Sequence, residues 1–123
     1  MARIKTLWIK PEYLKHILEG RKCIEIRVGY SNILRLQAGD YLKLNDAHLA
    51  IIQRVAYYRS FEELLAHENP ALIAPDLNHE TLLERLRDLY PPDKESLGVV
   101  ALEIQLVNGG RQKDNGSQSA LQE

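Results

Sequence analysis

Lys22, Glu25 and Arg27, within Gly20-Arg21-Lys22-Cys23-Ile24-Glu25-Ile26-Arg27, are the residues whose types and spacing best suit chemistry. Charges alternating with Ile24 and Ile26 read as a strand, and successive strand residues point to opposite faces. Glu25 and Arg27 therefore share one face and the two isoleucines the other. Arg27 offers a planar fork of donors and Glu25 a pair of acceptor oxygens. Together they can hold a polar ligand, or simply pair with each other. Lys22 lies three residues before Glu25, which puts it on the opposite face of a regular strand. It joins the same site only if the chain twists at the strand mouth, where Gly20 permits unusual backbone angles.

Other reactive side chains are sparse. Cys23 has the alternation phase of Glu25 and Arg27, but a nucleophilic thiolate needs a base or a positive neighbour. With no histidine partner in view, a small packing residue is the expectation. Histidines occur at 16, 48, 67 and 79, without the i, i+4 pairing of a zinc helix, so no metal is expected. His67 reads as a helix-end histidine favoured by the dipole. No phosphate loop, dinucleotide fingerprint or nucleophile elbow is present, and no cofactor is expected.

The pattern G-x-K-x-x-E-x-R after a helix, near the start of a chain of 123 residues, resembles the signature of the ASCH domain. Leu7-Trp8-Ile9-Lys10-Pro11, Leu36-Gln37-Ala38-Gly39-Asp40 and Gly98-Val99-Val100-Ala101-Leu102 also fall where ASCH domains carry such residues. The similarity covers roughly residues 4 to 107. It implies an α+β fold, a small and mainly antiparallel PUA-like β-barrel with flanking helices, and an association with RNA binding and RNA-linked chemistry.

Two functions follow from the resemblance. In the first, Lys22 and Arg27 hold a phosphate or base edge, Glu25 accepts from an exocyclic amine and Tyr30 stacks on a base. The partner is then RNA or a nucleotide-like ligand. Tyr57-Tyr58, near Arg54 and Arg59, adds either a second stacking surface or a half-buried piece of barrel wall. The second function resembles an ASCH branch that hydrolyses N4-acylated cytidine with the motif lysine, a threonine three residues on and a glutamate ending the next helix. Lys22 matches that lysine, and Glu68 in Ala66-His67-Glu68-Asn69 resembles that glutamate. Glu25 stands where the threonine belongs. As an enzyme the chain would use Lys22, Glu25 and Glu68, with a carboxylate activating water and Lys22 or Arg27 stabilising an oxyanion. Because Glu25 replaces the hydroxyl, weak or absent amidohydrolase activity is the expectation.

These residues need elements to position them. Ile4–Lys10 reads as a strand, with Leu7 and Ile9 on one face and Trp8 on the other. Pro11 opens a helix with Leu14, Ile17 and Leu18 as its buried stripe, and Gly20 suits its left-handed cap. The signature strand runs from about Lys22 to Val28, and residues 29–40 read as a loop. Tyr41–Asn45 and Ala50–Tyr58 form a hairpin. Ser60-Phe61-Glu62-Glu63 is a capping box starting a helix that ends near Glu68. His79–Tyr90 is a helix with Leu82, Leu83, Leu86 and Leu89 at helical spacing, stopped by Pro91-Pro92. Val99–Val107 is the closing strand, with Val100, Leu102, Ile104 and Leu106 facing the core. The helices at 11–19 and 60–90 are expected to flank the mouth near the signature strand.

Composition sets the remaining bounds. With 45% hydrophobic and 27% charged residues, the chain suits one globular domain over 1–107, followed by a polar, disordered tail over 108–123. One cysteine excludes an internal disulfide, and no apolar run is long enough for a membrane span or a signal peptide. A cytoplasmic setting without membrane association is the expectation. Net charge is −1, yet residues 1–59 hold eleven Lys/Arg against five Asp/Glu, and residues 60–107 hold three against ten. Such polarity can present a local positive potential to phosphates, or be offset where acidic helices pack on basic strands.

Overall fold

Two short sequence signals set the entry to the signature strand: Pro11 at the first helical position and Gly20 just past the helix end. The computed structural model describes residues 2–107. In it α1 spans Pro11–Leu18, and Gly20 takes φ +80°. Its buried residues are His16 and Ile17, while Leu18 is exposed, so the helix is rotated slightly from the expected stripe.

Five strands form one sheet in the order β1-β3-β4-β5-β2. They are β1 (Ile4–Leu7), β2 (Ile24–Val28), β3 (Tyr41–Leu44), β4 (His48–Tyr58) and β5 (Val99–Leu106). β1 and β3 are parallel and the other pairs antiparallel. The sheet curls into a half-barrel, because β1 and β2 are its two edges and have no ladder between them. The α+β, mainly antiparallel barrel architecture is therefore present, open along one seam. Asn45 and Asp46, both at positive φ, are the central residues of the turn between β3 and β4, which the Ala47 N–H closes onto the Leu44 carbonyl.

Each face of the sheet has its own core. Leu42, Leu44, Ile52, Val100, Leu102 and Ile104 fill the concave face, against Ile17 of α1. Ile24, Ile26, Val28, Val99 and Ala101 point the other way, onto a helical layer. That layer holds α3 (Phe61–His67), α4 (Pro70–Ile73) and α5 (His79–Leu89). β5 is thus buried on both faces, which is why Val99 and Ala101 are buried as well as the alternate set. Phe61, Leu64 and Leu102 are fully enclosed, each worth about 1.5–3 kcal/mol of apolar burial.

Some local features depart from the sequence reading. The stretch expected as a loop contains the short helix α2 (Ser31–Leu34), and α6 (Pro92–Glu95) follows Pro91. Pro70 and Pro92 each sit in the first turn of a short helix, so these prolines open helices as well as ending the preceding segment. Ser60 caps α3 by accepting from the Glu63 N–H at 3.0 Å, but Glu63 reaches back to the Arg59 N–H rather than to Ser60. Leu89 is exposed. The expected polar tail over 108–123 lies outside the described residues.

One irregularity matters for the site. The β4–β5 register shifts between Ile52 and Arg54. Without this bulge Arg54 would share the concave face with Ile52. With it, Arg54 pairs beside Glu103 on the helical face.

Candidate nucleotide-binding cleft

On β2, Glu25 and Arg27 stand opposite Leu102 and Val100, which belong to the concave core. They share a face, as alternation requires. Arg27 Nε donates to Glu25 Oε2 at 2.8 Å, and its Nη2 donates to the Trp8 carbonyl at 3.0 Å. Arg27 thereby reaches across the seam from β2 to the chain just beyond β1. The side chain of Glu25 is 12% exposed and that of Arg27 22%.

Lys22 reaches the same carboxylate by leaving the strand. β2 begins at Ile24, and the N–H groups of Arg21 and Lys22 both donate to the His16 carbonyl. This tight turn after Gly20 releases Lys22 from strict alternation. Its Nζ lies 3.2 Å from Glu25 Oε1 and donates to the carbonyls of Ile24 (2.6 Å) and Ile73 (2.8 Å). The side chain is only 3% exposed. An ammonium has three protons, and three acceptors surround it, so the buried charge is fully paired. Lys22, Glu25 and Arg27 form a continuous chain of ions, with Arg27 at its more accessible end.

A cleft of about 200 Å³ opens beside this chain. Trp8, Ile9, Lys10 and Tyr13 wall it from the β1–α1 side, and Ile73 and Ala74 from α4. Leu82, Arg85, Leu86 and Leu89 enter from α5, followed by Tyr90. Exposed Leu89 is therefore part of the cleft wall. Burial raises the Tyr90 phenol above its usual range, which keeps it a neutral hydroxyl. Trp8, Arg85 and Tyr90 were not legible as site residues, because nothing in local spacing ties them to the signature. Trp8 carried one signal: a tryptophan on the outward phase of β1, here 66% exposed.

Tyr30 lies on the adjoining groove with Trp8, Arg27 and Tyr90. It is 42% exposed, and Lys94 Nζ sits 5.7 Å from its ring centroid.

Glu68 is elsewhere. It is buried at the end of α3 and accepts from Arg54 Nη1 (3.0 Å) and Nη2 (2.6 Å), and Tyr58 donates its hydroxyl to it. Arg54 also donates to Glu103 at 2.8 Å. The Arg54 hydrogen bonds hold the Glu68 carboxyl below its usual range. Arg54, Tyr58 and Glu103 belong to the helical face of the sheet, whereas Glu25 is on the concave face. Glu68 lines neither the cleft nor the groove, so Lys22, Glu25 and Glu68 are not gathered into one constellation.

The remaining candidates fall outside the cleft too. Cys23 packs against the helical-layer core, and burial, with Glu103 nearby, raises its thiol pKa. His67 stacks on Tyr58 with 5.6 Å between ring centroids, and its Nδ1 lies 3.0 Å from the Glu63 carbonyl. Tyr58 is thus wall and network, while Tyr57 is exposed. Among the described residues no group of three or more His, Cys, Asp or Glu could hold a metal, and no helix is long and apolar enough to cross a membrane.

Known structures share this architecture. The crystal structure of the hypothetical protein PH0355 is similar at 25% identity and TM-score 0.80, covering 85% of this chain and 99% of that one. The solution structure of PF0455 from Pyrococcus furiosus is similar at 26% identity and TM-score 0.69, covering 87% and 98%. An ASCH domain from Lactobacillus crispatus shares the fold at 14% identity and TM-score 0.54, covering 85% and 80%. No curated protein matches the chain. The ASCH domain family matches residues 7–108, which include the signature strand and every element that walls the cleft. The chain belongs to the ASCH domain family, whose PUA-like fold is associated with RNA binding.

Proposed function

We propose that this ASCH domain binds RNA, or a nucleotide-like ligand, in the cleft beside β2. The observation that carries the reading is the ion chain Lys22–Glu25–Arg27 ending in a cleft walled by Trp8, Tyr13 and Tyr90. Aromatic walls beside a fixed guanidinium suit a nucleobase, which needs a stacking face and polar partners at its edge. Glu25 is oriented by two cations and offers acceptors to an exocyclic amine. Lys10 and Arg85 on the cleft wall suit the attached phosphate. Lys22 acts from behind, holding the carboxylate in place.

A hydrolase reading has less support. The three donors of Lys22 are spent on protein acceptors, and Glu68 is held by Arg54 and Tyr58 on the other face. Neither is free to move protons at a substrate amide in the cleft.

The test is a titration with single-stranded RNA and a nucleotide panel. The readout is fluorescence of the single tryptophan, Trp8, which lines the cleft. Arg27→Ala removes charge-assisted donors, expected to cost roughly 1.5–3 kcal/mol, about a tenfold to hundredfold loss of affinity. With few phosphates neutralised, the salt slope corresponds to about two or three contacts. Saturation absent at low salt, or affinity indifferent to Arg27→Ala, refutes the reading.

A further inference from the structure

The cleft does not end at Arg27. A second groove of about 300 Å³ continues along the open seam between β1 and β2. It is lined by Lys5, Thr6 and Leu7 on one side, Val28 on the other, and Tyr30, Asn32 and Ile33 beyond. Trp8, Arg27 and Tyr90 line both compartments, so the two meet at those three side chains. The Arg27 contact to the Trp8 carbonyl forms the junction.

Both compartments have the chemistry of a nucleic-acid strand. Five cations line them (Lys5, Lys10, Lys22, Arg27 and Arg85) against the single carboxylate of Glu25, which is already paired. Lys94, beside the Tyr30 ring, adds positive charge at the far end. Trp8 and Tyr30 are both well exposed, so each can offer a stacking surface, one at the junction and one in the groove. Volume points the same way. The cleft alone, near 200 Å³, is smaller than the roughly 300–1,000 Å³ typical of small-molecule pockets, and joined to the groove of about 300 Å³ it falls within that range.

We infer that the ligand is a single-stranded RNA segment of at least two nucleotides lying across the β1–β2 seam. One base enters the cleft beside Glu25, the linking phosphate sits at Arg27, and the neighbouring base lies in the groove on Tyr30. A base can enter such a cleft only if it is splayed from its neighbours, which excludes a duplex. This inference rests on the nucleotide-binding reading above and adds the length and strandedness of the ligand.

The experiment compares the four nucleoside 5′-monophosphates with the four homodinucleotides by Trp8 fluorescence, on the wild type, Tyr30→Ala and Tyr30→Phe. The dinucleotide of the preferred base is expected to bind roughly tenfold or more tightly than its monophosphate, the worth of one stacked base. The dinucleotides are used without a terminal phosphate, so their single phosphodiester carries less charge than a 5′-monophosphate, and electrostatics alone predicts the reverse order. Tyr30→Ala should bring dinucleotide affinity down to the level of the monophosphate, while Tyr30→Phe keeps the dinucleotide advantage. Tyr30 is exposed, so its loss should not unfold the domain. Equal affinity for the two ligand lengths, or equal competition by an RNA duplex, overturns the inference and leaves the cleft reading standing. Failure of every nucleotide to bind overturns both.

Discussion

Replacing Lys22 by Met keeps an unbranched stem of similar reach and removes three buried donors. The Ile24 and Ile73 carbonyls and Glu25 Oε1 each lose a partner. An acceptor left unsatisfied in the interior costs about 1–3 kcal/mol. Removing one partner of a buried ion pair costs about 3–5 kcal/mol. These overlap, because one ammonium serves all three acceptors, and Arg27 still pairs with Glu25 Oε2 at 2.8 Å. The expected loss is therefore about 3–5 kcal/mol in total. Against a typical domain stability of about 5–15 kcal/mol, that is a large share. The thermal midpoint should fall by roughly 12–20 °C, at about 4 °C per kcal/mol. Urea unfolding at pH 7, followed by far-ultraviolet circular dichroism, measures the loss directly. Glu25→Gln should cost less, since Lys22 keeps two carbonyls and gains an amide oxygen. The double variant should lose less than the sum of the two, because the pair shares one interaction. A loss below about 1 kcal/mol for Lys22→Met, or strict additivity in the cycle, would refute this account of the buried ammonium.

Acid sensitivity should trace to Asp40 and Glu68. The backbone N–H groups of Arg3 and Gln37 hold the Asp40 carboxyl below its usual range, and Arg54 does the same for Glu68. Carboxyls depressed in the folded state bind more protons when unfolded, so their contribution is present above the ordinary values, near 3.8 and 4.5, and is lost as pH falls through the folded values. The urea midpoint should hold down to about pH 5 and decline below it, less steeply in Asp40→Asn or Glu68→Gln; an unchanged slope in both variants would remove these groups as the cause. Glu68→Ala should lower stability and leave nucleotide affinity as it was, measured side by side, and a selective loss of binding would return Glu68 to the site. Gly29→Ala would place Cβ 2.9 Å from the Leu97 carbonyl oxygen, so denaturation should register a loss of about 1–3 kcal/mol.

Local chemistry made some features legible from sequence. Period-two alternation set Glu25 and Arg27 on one face, because strand side chains must alternate. Pro11, Gly20 and Ser60 marked helix ends through backbone constraints and orphan N–H groups that need no distant partner. Other features required the folded chain. The turn that bonds Arg21 and Lys22 to the His16 carbonyl turned Lys22 toward Glu25, and another of its acceptors, the Ile73 carbonyl, is 51 residues away. Trp8, Arg85 and Tyr90 line the cleft only because the edge strands and α5 converge there. The bulge between Ile52 and Arg54 decided the fate of Glu68. By flipping Arg54 to the helical face it drew that carboxylate into a network across the sheet from Glu25. A register shift depends on how two strands pair, so neither strand's own sequence announces it.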